Sequence, residues 1–425
     1  MDLRAIAVLS TLLSYALSGL ALLTLNPARA AAASTSTRKA APKTHAAAKR
    51  PVVRKAVPSA SRASARKPVV SRASSKSRSR GRRAVVRRTS YRGAGNSFIR
   101  GGPWREPTFA DSSNGDVVDG EDPVVRRAAV DALGPYNGTV AVVDPFTGRI
   151  LTLVNQKLAL KSGFQPCSTI KVVAALAALS EGIIDKTTTF SSVSRRMNLT
   201  EALAVSNNPY FATLGERLGF DRVSYYSRLF GLGEKAGLDI DDEQPGVLPS
   251  EPPPSGLGMM TSFGSGITLT PLQLAALIST VANGGTLYYL QHPETKEAVE
   301  SFVPRVKRRL DINQWIPELL PGMSGAVEWG TARRAGANNS ESIFGKTGTC
   351  TDERSPTHLG WFGSFNDAGR NKLVVVVLLT GGAPVNGPVA SGIAGAVYRN
   401  LSEQNYFAQI RYLSPNAMLS AEALR

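Results

Sequence analysis

The chain has little of what usually builds a small stapled scaffold or a metal centre. Only two of its 425 residues are cysteine, Cys167 and Cys350, which excludes a disulfide-dense scaffold and a cysteine-only zinc site. Three histidines, His45, His292 and His358, are too few for a polyhistidine metal centre, and no cofactor is expected. Charged residues make up only 19%, which excludes a long coiled coil, while 42% hydrophobic content excludes a wholly disordered chain. Acidic residues are nearly missing from one stretch: residues 31–110 hold 21 Lys+Arg, one acid (Glu106), and no aromatic before Tyr91. Residues 111–425 hold 27 Lys+Arg against 30 Asp+Glu, a net charge of −3. The overall charge of +18 therefore describes a basic segment, and the remainder of the chain is slightly acidic.

Residues 5–25, AIAVLSTLLSYALSGLALLTL, are uncharged, follow Arg4 and precede Ala28-Arg29-Ala30. A basic start, an apolar centre and small residues at a cleavage site form a secretory signal pattern. The run is also long enough to cross a bilayer, so residues 1–30 are expected to be a signal peptide or a membrane anchor. Arg29, Arg38, Lys39 and Lys43 oppose an uncleaved anchor with the body outside, a tension that cleavage after Ala30 relieves. Either outcome places the chain on the extracytoplasmic face of the cell envelope, anchored in the inner membrane or free in the periplasm. Residues 31–110 are expected to be a disordered basic linker, since their composition buries too little apolar surface to order itself. Such a run is either simply solvated or drawn to the membrane and anionic envelope polymers. Nucleic acid is not expected, because no stacking aromatics are interleaved.

A folded domain is expected over residues 111–405, with 406–425 as a C-terminal tail. TVAVVD and RILTLVN, joined by Pro145-Phe146-Thr147-Gly148, read as a hairpin. Residues 169–181 read as an apolar helix ended by Gly182, and a mostly helical stretch follows to about residue 230. Thr270-Pro271 opens another helix, and Asn283-Gly284 closes it. SIFGKTGTC, HLGWFGSFN and KLVVVVLLT read as three successive strands, and residues 389–402 as a closing helix. Strands at both ends with helices between them predict an α+β fold.

Three short patterns carry chemistry. Ser168-Thr169-Ile170-Lys171 sets a hydroxyl and an amine one helical turn apart on one face. A serine needs a base to become nucleophilic, and lysine serves only when neutral. That requires lowering its pKa from about 10.4 by roughly 3 units, about 4 kcal/mol, which burial beside another cation supplies. Alone the pattern says little, because Ser64-Ala65-Arg66-Lys67 in the basic segment matches it equally. Ser206-Asn207-Asn208 offers a proton relay and an amide-binding carboxamide, or simply a helix-end cap. Lys346-Thr347-Gly348-Thr349 offers a fixed cation and hydroxyls for a carboxylate, with Gly348 where another backbone or a ligand comes close, or simply a strand end.

In the order Ser-x-x-Lys, Ser-x-Asn, Lys-Thr-Gly, the chain resembles the penicillin-recognising serine enzymes: penicillin-binding transpeptidases, DD-carboxypeptidases and serine β-lactamases. PCSTIKVVAALAALSEG, MNLTEALAVSNNPYFATLGERLG, GSGITLTPLQLAALISTVANGG and GAVEWGTARRA extend the resemblance toward the transpeptidases, over about residues 135–402. It implies an antiparallel sheet flanked by helices with an inserted all-helical subdomain. It also implies that Ser168 is acylated, Lys171 is its base, and Ser206 passes the proton to the leaving amine. Asn208 would hold the substrate amide, and Lys346, Thr347, Gly348 and Thr349 would form the carboxylate-binding strand. The N–H groups of Ser168 and Thr349 would form the oxyanion hole. The implied partners are peptidoglycan stem peptides ending in D-Ala-D-Ala, with β-lactams as covalent ligands. A β-lactamase and a penicillin-binding sensor or scaffold without turnover are the alternatives.

The chain departs from the family in three ways. The stretch from 171 to 206 is short and lacks a Cys-, Trp- and His-Gly-containing insert, and no pedestal or glycosyltransferase domain is expected in residues 31–110. Nor is there a segment resembling the Glu-x-x-Leu-Asn deacylation loop of class A β-lactamases, although Glu243 lies in the corresponding region. Some carbapenem-hydrolysing class A β-lactamases bridge cysteines placed as Cys167 and Cys350 are here, so the resemblance implies a Cys167–Cys350 disulfide. Two small buried thiols are the alternative.

Overall fold

The computed structural model describes residues 104–161, 163–191 and 196–408. The signal or anchor segment, most of the basic linker and residues 409–425 lie outside the described residues. An early hairpin and a late three-stranded meander form a single five-stranded antiparallel sheet. Its strands are β1 (Gly138–Val143), β2 (Ile150–Val154), β3 (Ile343–Thr351), β4 (His358–Asn366) and β5 (Val374–Gly381), in the order β2-β1-β5-β4-β3. The sheet is therefore completed late in the chain, and β3 and β2 are its two edges.

The run KLVVVVLLT becomes β5, the central strand of the sheet, with both of its faces covered. Val374, Val376 and Leu378 face one core, while Val375, Val377 and Leu379 face another, as the two-residue period of a strand requires. The second core is closed by α1 (Pro123–Leu133) and the last helix, α8 (Gly387–Glu403). The first is closed by α2 (Lys171–Ser180) and α6 (Pro271–Ala282). Every residue of α6 is buried. Its start is fixed as the sequence suggests: Thr270 accepts from Gln273 N, Gln273 Oε1 accepts from Thr270 N, and Pro271 follows.

Four further helices form the inserted subdomain and its bridge to the sheet: α3 (Leu199–Ala204), α4 (Asn208–Leu229), α5 (Leu257–Phe263) and α7 (Ile316–Glu328). The segment expected to be mostly helical also contains a small hairpin, Phe190–Ser191 with Arg196–Met197.

The packed body extends beyond the 111–405 span at both ends. The Trp104 ring lies 4.2 Å from that of His358, and Thr108 Oγ1 accepts from Gly382 N. At the other end Tyr406 is buried and donates to Asp122 Oδ2. An anchoring aromatic at each end sets these boundaries, which composition averaged over a segment does not reveal.

Candidate active site

Ser168 lies in a tight 3-10 turn, Cys167–Ile170, that runs directly into α2. Lys171 is the first residue of that helix, and its side chain is 0% exposed. Its Nζ lies 2.6 Å from Ser168 Oγ, 2.7 Å from Asn208 Oδ1, 2.8 Å from the carbonyl of Ser262 and 3.3 Å from Ser206 Oγ. The rings of Phe211 and Phe263 stand 5.7 Å from the same nitrogen. Burial, reinforced by the nearby positive charge of Lys346, holds the Lys171 pKa well below the usual lysine range.

Ser206 reaches this cluster through an unusual backbone. It stands just past α3 with φ +58°. Ser206 N donates to Leu203 O, and Asn207 N donates to Ala202 O, a helix ending in which glycine is the usual residue. The next two residues divide the work. Asn207 caps α4 by accepting from Tyr210 N, while Asn208 turns its carboxamide oxygen to Lys171. The helix-end cap and the site residues thus coexist in one tripeptide.

Lys346 enters from β3, also 0% exposed, and donates to Ser206 Oγ at 2.9 Å and to Thr347 O at 3.0 Å. Burial lowers its pKa to about 7. Among the described residues neither Lys171 nor Lys346 is in an ion pair. Two amines thus flank one hydroxyl without a carboxylate beside them, a site suited to an anionic ligand.

The alternation of β3 sends Thr347 and Thr349 to the side opposite Lys346. The Thr347 hydroxyl lies 2.6 Å from that of Thr331, and Thr349 Oγ1 accepts from Gly387 N, leaving its own proton free. Gly348 meets the turn that carries Ser168: a Cβ there would sit 2.9 Å from Pro166 O and 3.2 Å from Thr169 Cγ2. The close approach inferred for this glycine is therefore made by the chain's own backbone. Cys167, at φ +51°, and Cys350 join the same two elements by a disulfide with Cα atoms 5.6 Å apart. Both cysteines are bonded, and no free thiol remains.

Three participants are missing from the motif-based reading. Ser262 contributes only a backbone carbonyl, which its side-chain identity does not announce. Gln165 ties together three walls of the cleft. Its side chain donates to Phe263 O and Glu353 Oε1 and accepts from Glu353 N, and its carbonyl accepts from Trp361 Nε1. Thr331 lies within the GAVEWGTARRA stretch, where only the contact with Thr347 distinguishes it. Glu243 is occupied elsewhere: it is fully buried and accepts from Ala236 N and Gly237 N, and burial pushes its carboxyl pKa up.

The family model for the penicillin binding protein transpeptidase domain matches residues 138–403. Stage V sporulation protein D of Bacillus subtilis is 30% identical over 291 residues, 61% of this chain and 44% of that protein. Peptidoglycan D,D-transpeptidase PbpA of Mycobacterium tuberculosis is 26% identical over 366 residues, 70% of this chain and 73% of that protein. A structure of penicillin-binding protein A from M. tuberculosis, an imipenem acyl-enzyme complex, aligns with a TM-score of 0.55 at 27% identity. That alignment covers 66% of this chain and 78% of the other. The chain therefore spans under half of the sporulation protein and about three quarters of the mycobacterial relatives.

Proposed function

The chain belongs to the penicillin-binding protein transpeptidase family, and on that premise we propose that it is a serine acyltransferase acting on D-Ala-D-Ala stem peptides of peptidoglycan. It works as a D,D-transpeptidase or D,D-carboxypeptidase and is acylated by β-lactams at Ser168. The observation that carries this reading is the set of partners around Lys171 Nζ. A neutral amine has two N–H bonds and one lone pair. The oxygens of Ser262 and Asn208 only accept, so they take the two N–H bonds. The lone pair is left for the proton of Ser168, 2.6 Å away.

From that arrangement the steps follow. Ser168 Oγ attacks the carbonyl carbon of the penultimate D-Ala, and its proton passes to Lys171. The carbonyl π pair moves to oxygen, where the N–H groups of Ser168 and Thr349 hold the developing charge. On collapse the C–N bond breaks and the departing amine takes a proton from Ser206 Oγ, which Lys171 resupplies. Asn208, with its oxygen turned to Lys171, keeps its N–H bonds for the substrate amide. Lys346 holds the terminal carboxylate. An incoming amine then attacks the ester, returns a proton through Ser206 and Lys171, and frees Ser168 with a cross-link. Water in its place gives a trimmed peptide.

An extracytoplasmic location is supported by the signal pattern in residues 1–30 and by the Cys167–Cys350 disulfide, which suits an oxidising compartment. The basic segment is suited to the anionic membrane surface and envelope polymers.

Labelling of the protein with a fluorescent penicillin, with Ser168→Ala as control, tests the assignment. A Ser168-dependent adduct lasting many minutes, together with turnover of a D-Ala-D-Ala peptide, is expected. Rapid loss of label with hydrolysed drug indicates a β-lactamase, and a stable adduct without peptide turnover a sensor. No label at all overturns the site.

A further inference from the structure

Three residues before Ser168, Gln165 is 4% exposed and uses every polar atom of its side chain. Its Nε2 donates to Phe263 O and to Glu353 Oε1, each at 3.2 Å, and its Oε1 accepts from Glu353 N at 3.1 Å. Two N–H bonds meet two acceptors and the oxygen meets a donor, which fixes the way the amide points. Glu353 completes the tie, since its other carboxylate oxygen accepts from Gly266 N at 3.3 Å. The pair thus joins three segments: the approach to the Ser168 turn, the loop after β3, and the chain leaving α5.

The third segment bears on the base. Ser262, whose carbonyl accepts from Lys171 Nζ at 2.8 Å, immediately precedes Phe263. The Phe263 ring stands 5.7 Å from the same nitrogen. Gln165 holds the carbonyl of Phe263 and Glu353 holds the N–H of Gly266, so the peptide units that follow Ser262 are tied to the segment leading into Ser168. Gly264 lies between them, so close to Pro166 that a Cβ would meet Pro166 Cγ at 2.2 Å. Among the described residues neither side chain of the pair bonds to Ser168 or Lys171, so any effect on them passes through the backbone it holds.

We propose that Gln165 and Glu353 are positioning residues for the base: they hold the Ser262 carbonyl where it takes one N–H bond of Lys171, and so keep the Lys171 lone pair on Ser168. This rests on the acyl-transfer reading above. With only Asn208 left to accept from it, the neutral amine turns about its Cε–Nζ bond and the lone pair leaves the serine.

The test exchanges the pair in the full chain. Gln165→Glu sets a carboxylate against Glu353 Oε1 and Phe263 O, and should lose both stability and acylation. Adding Glu353→Gln restores the tie between the two side chains and the acceptor for Gly266 N, but leaves Phe263 O facing a carboxylate instead of an N–H. This double variant should regain the urea midpoint of the unaltered protein and form its complex with a penicillin, before acylation, with an unchanged dissociation constant. The acylation step that follows should be about tenfold slower, because misplaced reacting groups are felt in the chemical step. Gln165→Met, which brings no charge, is the second variant and should show the same split between complex and step. Acylation at the unaltered rate in either variant, or a weakening of the complex that accounts for the whole loss, overturns the assignment and leaves acylation at Ser168 standing. Failure of the unaltered protein to acylate at Ser168 overturns the underlying reading and this assignment with it.

Discussion

Lys346 donates to Ser206 across 140 residues of sequence, with Nζ 2.9 Å from Oγ. The same hydroxyl lies 3.3 Å from Lys171 Nζ, so one serine is held between two buried amines. The two amines need opposite charge states. In the proposed mechanism Lys171 acts only when neutral, and Lys346 would hold a carboxylate best when protonated.

The rate of acylation should therefore be bell-shaped in pH. Rate rises as Lys171 loses its proton, at a pH well below the usual lysine range because burial and Lys346 disfavour its charge. It falls again as Lys346, held to about 7 by burial in the unliganded site, loses the charge that grips the carboxylate. Lys346→Met removes the cation that pushes Lys171 down, so its ascending limb moves to higher pH. Second-order acylation rates for both proteins across the pH range check this. A flat profile, or an ascending limb unmoved in the variant, contradicts it.

The backbone at Ser206 reverses an ordinary ranking. At φ +58° a Cβ costs about 1–2 kcal/mol, which glycine avoids. Ser206→Gly should be more stable than Ser206→Ala by about 1 kcal/mol, whereas in a helix interior alanine wins. Both variants lose the hydroxyl between the two lysines, and both should lose acylation to a similar degree. Urea unfolding paired with penicillin labelling measures the two effects. Equal stability of the two variants contradicts the backbone argument, and full activity in either contradicts the relay.

How much of this was legible in sequence depends on where each contribution resides. Ser168, Lys171, Ser206, Asn208 and Lys346 meet through side chains set in short contiguous words, so the cluster is readable in sequence. The β5 run and the capped start of α6 were readable because burial on both faces and capping each leave a local pattern. Ser262 acts through a carbonyl that any residue carries, and Gln165 through contacts with chain about 100 and 190 residues away. Thr331 gains meaning only from β3, 16 residues on. The reach of the body to Trp104 and Tyr406 was hidden for the same reason: isolated aromatics say nothing until their partners are placed.

The disulfide closes a long loop and pins the nucleophile turn to β3. With a sequence separation of 183, the chain-entropy model gives a contribution of about 5 kcal/mol, an upper bound in practice. Cys167→Ser with Cys350→Ser should therefore unfold at lower urea, with a loss above about 2 kcal/mol. Acylation should slow as well, because a serine at position 167 must hold φ +51° without the cross-link. Unfolding curves and labelling rates of the double variant test both expectations. Unchanged stability means that packing alone holds the two elements together.

Gly348 offers the sharpest steric test of the cleft. A methyl group there meets Pro166 O at 2.9 Å, Trp361 Cβ at 3.1 Å and Thr169 Cγ2 at 3.2 Å. The first of these is backbone of the nucleophile turn, and Trp361 is fully buried, so none can swing aside freely. Gly348→Ala must push β3 away from the turn, costing about 1–3 kcal/mol of stability. The displacement separates the N–H of Thr349 from that of Ser168, so the acylation rate should fall further than the stability loss alone explains. Gly182 is the matched control: it lies in open space at φ +64°, so Gly182→Ala strains the backbone of a helix end without touching the cleft. The expected result is a comparable loss of stability in both variants and a loss of acylation only in Gly348→Ala. Equal acylation rates in the two would mean that β3 yields at this point without disturbing the oxyanion donors.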